Sequence, residues 1–418
     1  MKKIFAAMSI ALLATTAFAQ SGTNSPYSMY GIGVLSDQGN SFNRGMNGVG
    51  LGFRPHDQIN YLNPASYSAV DSLSFIFDAG LSLQMTNFKE GKVSKNAKNA
   101  SFEYVVGGFR AARNLGVAFG ILPVSNVGYE FSNKDTSLAS TTTYSGTGGL
   151  HEVFIGLGWA PFAGFSVGVN GGYLWGEIDR TVSTSYADAS AKSLKKNTNF
   201  SVSNYKLDLG VQYQYNLGGK DALTVGATYG LGHSLKTDPS LSIISSGVVS
   251  DTTEYVAKDG VDFPTQISAG VSYNHGTKWT VGVDYTLQQW ASANFPQDKG
   301  NAYVPKTGLF KDSHKINAGL EYCQNPEGRS FMSRIRYRLG AGYSTPYIKV
   351  FDKDGPSQLS VSAGVGIPIV NAYNNRSMLN VSAQWVHNDA SGMIKENTFR
   401  INIGFTFNER WFAKWKFE

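Results

Sequence analysis

The sequence predicts an all-β fold, a transmembrane antiparallel β-barrel of about 14 strands with an N-terminal plug. Three observations predict it. Segments alternating apolar and polar residues recur from Asp71 to the end, without a competing helical period. Short connections alternate with long polar ones, as they do in outer-membrane barrels. The chain opens on an export signal, yet no later run of about 18 apolar residues could form a transmembrane helix.

The signal comes first. Lys2 and Lys3 precede an apolar run from Ile4 to Ala14, and Ala17-Phe18-Ala19 offers a cleavage site before Gln20. Cleavage there leaves 418 − 19 = 399 residues. No cysteine follows the site, so a lipoprotein anchor is not expected. The expected organisation is residues 1–19 signal peptide, 20–70 plug, and 71–418 barrel.

Residues 20–70 do not alternate. Gly45, Gly48, Gly50 and Gly52 crowd together without a following βαβ unit, so a nucleotide loop is a poor reading. A compact segment packed through glycine backbone suits them better. About fourteen strands enclose a lumen too wide for side chains alone to fill. Tyr27, Tyr30, Ile32, Val34, Leu35 and Phe53 of this segment could build a greasy pocket from within.

The strands follow. In SLSFIFDAGLSLQ, Leu73, Phe75, Phe77, Ala79, Leu81 and Leu83 face one way, with Ser74, Asp78, Ser82 and Gln84 opposite. YKLDLGVQYQY, WTVGVDYTLQ, KINAGLEY, MLNVSAQW and FRINIGFTF repeat the pattern. In SRIRYRLGAGYS, Arg334, Arg336 and Arg338 oppose Ile335, Tyr337 and Leu339. Apolar faces of this kind meet lipid in a barrel and core in a soluble sandwich. The connections favour the barrel. RAARN, PFAG, LGGKD, NHGT, QNPEGR and NAYNNR are short, whereas residues 132–148, 180–199, 235–261 and 292–311 read as long loops. Trp159, Phe165, Tyr215, Tyr273, Trp279, Tyr322 and Phe331 cluster beside the short turns, as an interfacial aromatic girdle does. The aromatic-rich end, with Trp411, Phe412, Trp415 and Phe417, resembles the final strand that outer-membrane insertion machinery reads, which makes that machinery an expected partner alongside membrane lipid.

The polar faces carry charge of both signs. Inward cations are expected at Lys206, Lys315, Arg334, Arg336, Arg338 and Arg400, and inward anions at Asp78, Glu103, Glu152, Asp208, Asp284 and Glu321. Balanced lists suggest ion pairs, which low-dielectric surroundings demand. Glu321 lies across the QNPEGR turn from the arginines and is a natural partner. The alternative is that Arg334, Arg336, Arg338 or Arg400 holds a carboxylate ligand. Apolar inward exceptions are expected at Ile76, Phe109, Phe154 and Leu174.

Other classes are disfavoured. Charged residues make up 16% of the chain, below the usual ~25%. A formal charge of +6, scattered along the chain, does not suit nucleic acid. The single Cys323 permits no internal disulfide or cysteine-based zinc cluster. None of the six histidines forms a metal motif or an evident triad, so neither enzyme activity, a metal nor a cofactor is expected.

Asn63-Pro64-Ala65, closing the N-terminal segment, resembles the NPA element of the FadL-type outer-membrane transporters of fatty acids and aromatic hydrocarbons. LGVAFGILPVSNVGYEF (Leu115–Phe131) resembles that family's kinked third strand, and FPTQISAGVSYNHGTKWTVGVDYTLQQW (Phe263–Trp290) follows its Pro, Gly-x-x-Tyr, Asp-Tyr and Trp pattern. The whole is similar to the family's Bacteroidetes-like branch. The resemblance implies fourteen strands, an N-terminal plug in the outer membrane of a Gram-negative cell, and passive uptake of hydrophobic small molecules with sideways exit at the third strand. Pro123 lacks an amide donor and Gly128 permits a bulge, so a local interruption is expected there on physical grounds too. Two alternatives stand beside a hydrophobic channel: a non-transport barrel acting as scaffold or secretion accessory, and a polar porin.

Overall fold

The computed structural model describes residues 22–188, 191–246, 250–300, 302–369 and 377–409. The expected signal peptide, the NAYNNR turn and the aromatic tail from Trp411 lie outside the described residues.

Fourteen antiparallel strands form one closed barrel. They are β1 (Phe75–Glu90), β2 (Val93–Ala112), β3 (Leu115–Asp135), β4 (Ser140–Phe162), β5 (Phe165–Tyr186), β6 (Ser193–Gly218) and β7 (Asp221–Gly230). They continue with β8 (Gln266–His275), β9 (Trp279–Gln288), β10 (Ser313–Cys323), β11 (Arg336–Ser344), β12 (Ser357–Ile369), β13 (Ser377–Asp389) and β14 (Lys395–Glu409). Each pairs with its neighbour in sequence, and β14 closes on β1 from Phe75↔Glu409 to Lys89↔Lys395. Closure removes the sheet edges that a lipid interior cannot tolerate.

The alternation sets the faces. Ile155 is 62% exposed on β4 and Leu339 57% exposed on β11, while their neighbours Phe154 and Arg338 are buried. Beside the short turns, Trp159, Tyr215, Tyr273 and Trp279 are exposed, and Trp279 packs on Tyr322 at 4.4 Å between centroids. Such an apolar band with an aromatic margin is what lipid requires of a barrel exterior.

Several local expectations need correction. The arginine strand begins at Arg336. Arg334 ends a short helical turn, Phe331–Arg334, and Ile335 is only 8% exposed, so it does not meet lipid. Alternation in sequence ran on past the point where the turn takes over. Phe109 pairs with outward Phe75 and stacks on it at 6.2 Å, so it faces out. A bulge in β2 near Glu103, where Tyr104 and Phe102 oppose Gly80 and Leu81, shifts that register. Most of the expected loops at 132–148 and 180–199 are strand: β4 and β6 are 23 and 26 residues long, far beyond the ~9–11 that cross a bilayer. Thr141 to Tyr144 are β-branched or aromatic, and they extend the ladder past the membrane as a polar hairpin.

Residues 22–70 pack against the inward faces of the strands. They hold short helical turns at Pro26–Met29, Ser41–Arg44 and Pro64–Ala69. Their seat is a belt of inward glycines. Gly116, Gly158, Gly168 and Gly210 pair directly across β3 to β6, and Gly282, Gly319 and Gly340 across β9 to β11. A Cβ at Gly168 would lie 2.5 Å from the Ala65 nitrogen, and one at Gly319 would lie 2.7 Å from Met46 Cβ. Only a wall without side chains lets the segment's backbone come this close.

Candidate functional site: the strand seam and the lumen

The wall is interrupted between β2 and β3. These strands pair only from Val105↔Ile121 to Ala112↔Leu115. Beyond Ile121, β3 stays paired to β4 but leaves β2. The departure coincides with a register shift between Pro123 and Ser125, which leaves Val124 as the extra residue. Pro123 cannot donate to a ladder, which explains the break. Gly128, the other expected kink residue, keeps regular pairing to Thr147. The glycines that accommodate the distortion sit opposite on β4: Gly148 and Gly149 have φ of 115° and 150° and pair with Val127 and Asn126.

The N-terminal segment takes the place that β2 vacates. Val34 pairs with Asn126 and Leu35 with Ser125. The Ser36 amide donates to the Val124 carbonyl at 3.0 Å, and Gln38 Nε2 donates to the Pro123 carbonyl at 3.1 Å. Ser28 Oγ accepts from the Gly128 amide at 3.2 Å. Gly33 is required here, because a Cβ on it would lie 2.6 Å from Val127 Cγ2.

Behind the seam lies the largest apolar cluster among the described residues. Tyr27 and Ile32 are buried in it, with Val127 and Tyr129 of β3, Leu174 and Ile178 of β5, and the loop residues Trp290, Phe310 and Tyr347. Tyr30 and Leu35 pack on its margin. Phe53 belongs to a separate cluster with Phe42, Met46 and Val49. Of the expected apolar inward residues, Ile76 and Phe154 are buried beneath the Pro64–Ala69 turn in a third cluster.

Most of the expected lumen charges form ion pairs, some with one another and some with the N-terminal segment. Arg400 Nη1 lies 2.7 Å from Asp37 Oδ2, and Lys315 Nζ lies 3.2 Å from Asp37 Oδ1. Arg336 Nη2 lies 2.8 Å from Asp57 Oδ2. Arg338 Nε donates to Glu321 Oε2 at 2.6 Å, its Nη1 donates to Asn380 Oδ1 at 2.6 Å, and its guanidinium lies over the Phe42 ring. Arg44 of the segment pairs with Glu103 at 2.7 Å. Lys206 pairs with Glu152 and Asp208 at 3.0 and 2.5 Å. Asp284 accepts from the Gly50 and Leu51 amides at 2.6 and 2.9 Å. Three of the four arginines considered for a ligand are thus engaged by the chain's own carboxylates. Arg334 is not: its Nε is buried without a hydrogen-bond partner among the described residues.

Asn63, Pro64 and Ala65 have a clear structural part. Asn63 Oδ1 caps the turn by accepting from the Ala65 amide at 3.1 Å, while its Nδ2 donates to the Leu51 and Val211 carbonyls at 3.0 and 3.1 Å. One side chain ties the segment to itself and to β6. Sequence reasoning missed Asp37 and Asp57, because the carboxylate pairing rule was applied only to the strands. Among the described residues, no group of three His, Cys, Asp or Glu side chains could hold a metal ion.

The fold is that of an outer-membrane barrel of the FadL type. It is similar to the Ralstonia pickettii toluene transporter TbuX at 14% identity and a TM-score of 0.62, covering 89% of this chain and 98% of that one. It is similar also to the P. putida toluene transporter TodX, at 15% identity and a TM-score of 0.64, over 90% and 100%. A Pseudomonas aeruginosa FadL homologue aligns at 12% identity and a TM-score of 0.57, over 90% and 98%. No curated protein matches the chain. The BamG family model matches residues 1–418, and the chain belongs to that family.

Proposed function

We propose that this barrel is an outer-membrane channel for passive passage of hydrophobic small molecules, with residues 20–70 as its plug and a lateral exit at the β2–β3 seam. The observation that carries the reading is the departure of β3 from β2 after Ile121, with the greasy cluster directly behind it. A hydrophobic solute leaving there enters lipid without crossing the polar lumen. The toluene transporters of similar fold support the substrate class, and the fatty acids implied by the resemblance to the FadL type fall within it. Membrane lipid and the outer-membrane insertion machinery are the proposed partners of such a barrel.

The test restores the ladder. Deleting Val124 and replacing Pro123 with Val removes both causes of the interruption. Toluene uptake by cells that carry this variant in the outer membrane is expected to fall to the rate of cells lacking the barrel. Uptake at the parental rate through the repaired wall would overturn the lateral exit.

A second reading, a barrel that scaffolds other envelope proteins, is favoured by how firmly the segment is seated on the glycine belt. That reading expects toluene uptake by cells with the parent barrel no faster than by cells lacking it.

A further inference from the structure

A cavity of about 710 Å³ opens at the short-turn end of the barrel, below the N-terminal segment. That end faces the periplasm in outer-membrane barrels. It shares no lining residue with the seam and plays no part in the proposed exit. Its size falls in the range of small-molecule sites, roughly 300–1,000 Å³.

The lining is amphipathic. Phe42, Phe53 and Met378 offer an apolar surface, and the charges do not balance around them. Asp57 and Glu321 are taken up by Arg336 and Arg338. His56 pairs with Asp71 at 3.1 Å. Arg54, Lys220 and Arg334 then face one remaining carboxylate in the lining, Glu327. Arg54 is held by neutral groups: it donates to Ser166 Oγ, to Gln212 Oε1 at 3.4 Å and to Ser68 Oγ at 3.2 Å. Arg334 has neither an ion pair nor a side-chain hydrogen bond among the described residues, and its Nε is buried. A buried guanidinium nitrogen without an acceptor is costly to leave unfilled.

The geometry points to a binding site for an anionic amphiphile that enters from the periplasmic end, its charged oxygens on Arg334 and its apolar body against Phe42, Phe53 and Met378. A carboxylate and a phosphate monoester share the required chemistry, since a guanidinium fork accepts either. The cations of Arg54 and Lys220 bias the cavity toward negative charge from its other wall.

Equilibrium binding to the detergent-solubilised full chain tests this, with octanoate, octyl phosphate and 1-octanol as probes at neutral pH. Octanoate and octyl phosphate are expected to bind. Arg334→Gln is expected to weaken one or both at least tenfold, which also tells which head group the site prefers, while 1-octanol changes less than twofold. Arg334→Lys is expected to recover most of the lost affinity, which separates charge from packing. Absence of anion binding by the parent, an unchanged affinity in Arg334→Gln, or equal weakening of octanol would each overturn the assignment. Toluene passage is a separate readout, so failure here leaves the transport reading standing.

Discussion

The N-terminal segment meets the barrel in two different ways. Along β9 to β11 it lies against a bare wall: Gly282, Gly319 and Gly340 present no side chains, and Val49, Phe53 and Met46 fill the space. At the seam it does not rest on the wall but completes it, supplying Val34 and Leu35 as ladder partners for β3. The first contact is an extended packing surface braced by buried charge pairs. The second is a two-residue ladder with side-chain bonds from Ser28 and Gln38, backed by Tyr27 and Ile32 in the apolar cluster. A barrel that must hold its contents while keeping one side openable would divide its binding in this way, because a two-residue ladder opens at less cost than a long one. Perturbing each region should therefore have effects of very different size.

The largest effect is expected on the packed side. Arg338 is buried and holds Glu321 and Asn380 at once. Arg338→Ala leaves Glu321 without that partner, and removing one member of a buried pair costs roughly 3–5 kcal/mol. The midpoint of urea unfolding, followed by heat-modified gel mobility in detergent, should drop markedly. A midpoint within error of the parent would show that the pair is worth no more than a solvated one.

Next comes the glycine belt. A Cβ at Gly340 would stand 2.6 Å from the Asn47 nitrogen and 2.7 Å from the Met46 carbonyl oxygen, so Gly340→Leu must displace the segment. Overpacking of this kind costs roughly 1–3 kcal/mol, and proteolysis should begin to cleave within residues 22–70. Gly171 is the matched control. It sits on β5 with no atom within 4 Å of an added Cβ, and Gly171→Leu should leave the protease pattern unchanged. Similar cleavage in both variants would remove the belt from the account.

The seam should yield to a smaller change. Ser36→Pro deletes the amide that donates to Val124, a loss of about 1 kcal/mol. Global unfolding should barely move, but amide exchange across 125–128 should accelerate. Unchanged exchange there would mean that the seam is held by packing and not by its ladder.

How far these features could be read from sequence follows from their range. The barrel was legible because lipid imposes a period of two on every strand, and that period survives in residues as ordinary as those of YKLDLGVQYQY. Glu321 as the partner of the arginine strand was legible because one short turn brings it opposite. The lumen partners Asp37 and Asp57 were not, since 278 residues separate Asp37 from Lys315, and no local pattern encodes such a pairing. Arg334 was misplaced for a different reason: three arginines at alternate positions look the same in a strand and in a strand preceded by one helical turn. The glycine belt had a signal that went unused. Glycine recurs at an inward position on strand after strand, and its meaning, backbone against backbone, appears only once the segment it receives is in place.

The smallest expected effect joins the two regions. Asp37 follows Ser36 of the seam by one residue, yet it pairs with Arg400 on β14 and Lys315 on β10. Burial alone would push its carboxyl up, but Lys315, Arg400 and Arg44 outweigh burial and hold it well below the usual carboxylate range. A carboxylate depressed in the folded state contributes stability that is fully present above its unfolded pKa of about 4 and is lost as pH falls below that. Acid should therefore loosen the segment next to the seam before it touches the glycine belt. Protease accessibility near Ser36 should rise as pH falls below about 4, using an acid-active protease, while sites beside Met46 stay protected. Asp37→Asn should abolish this pH dependence and leave the segment equally accessible at neutral pH and in acid. If the variant keeps the parental response, another carboxylate controls the seam, and the two regions are not linked through Asp37.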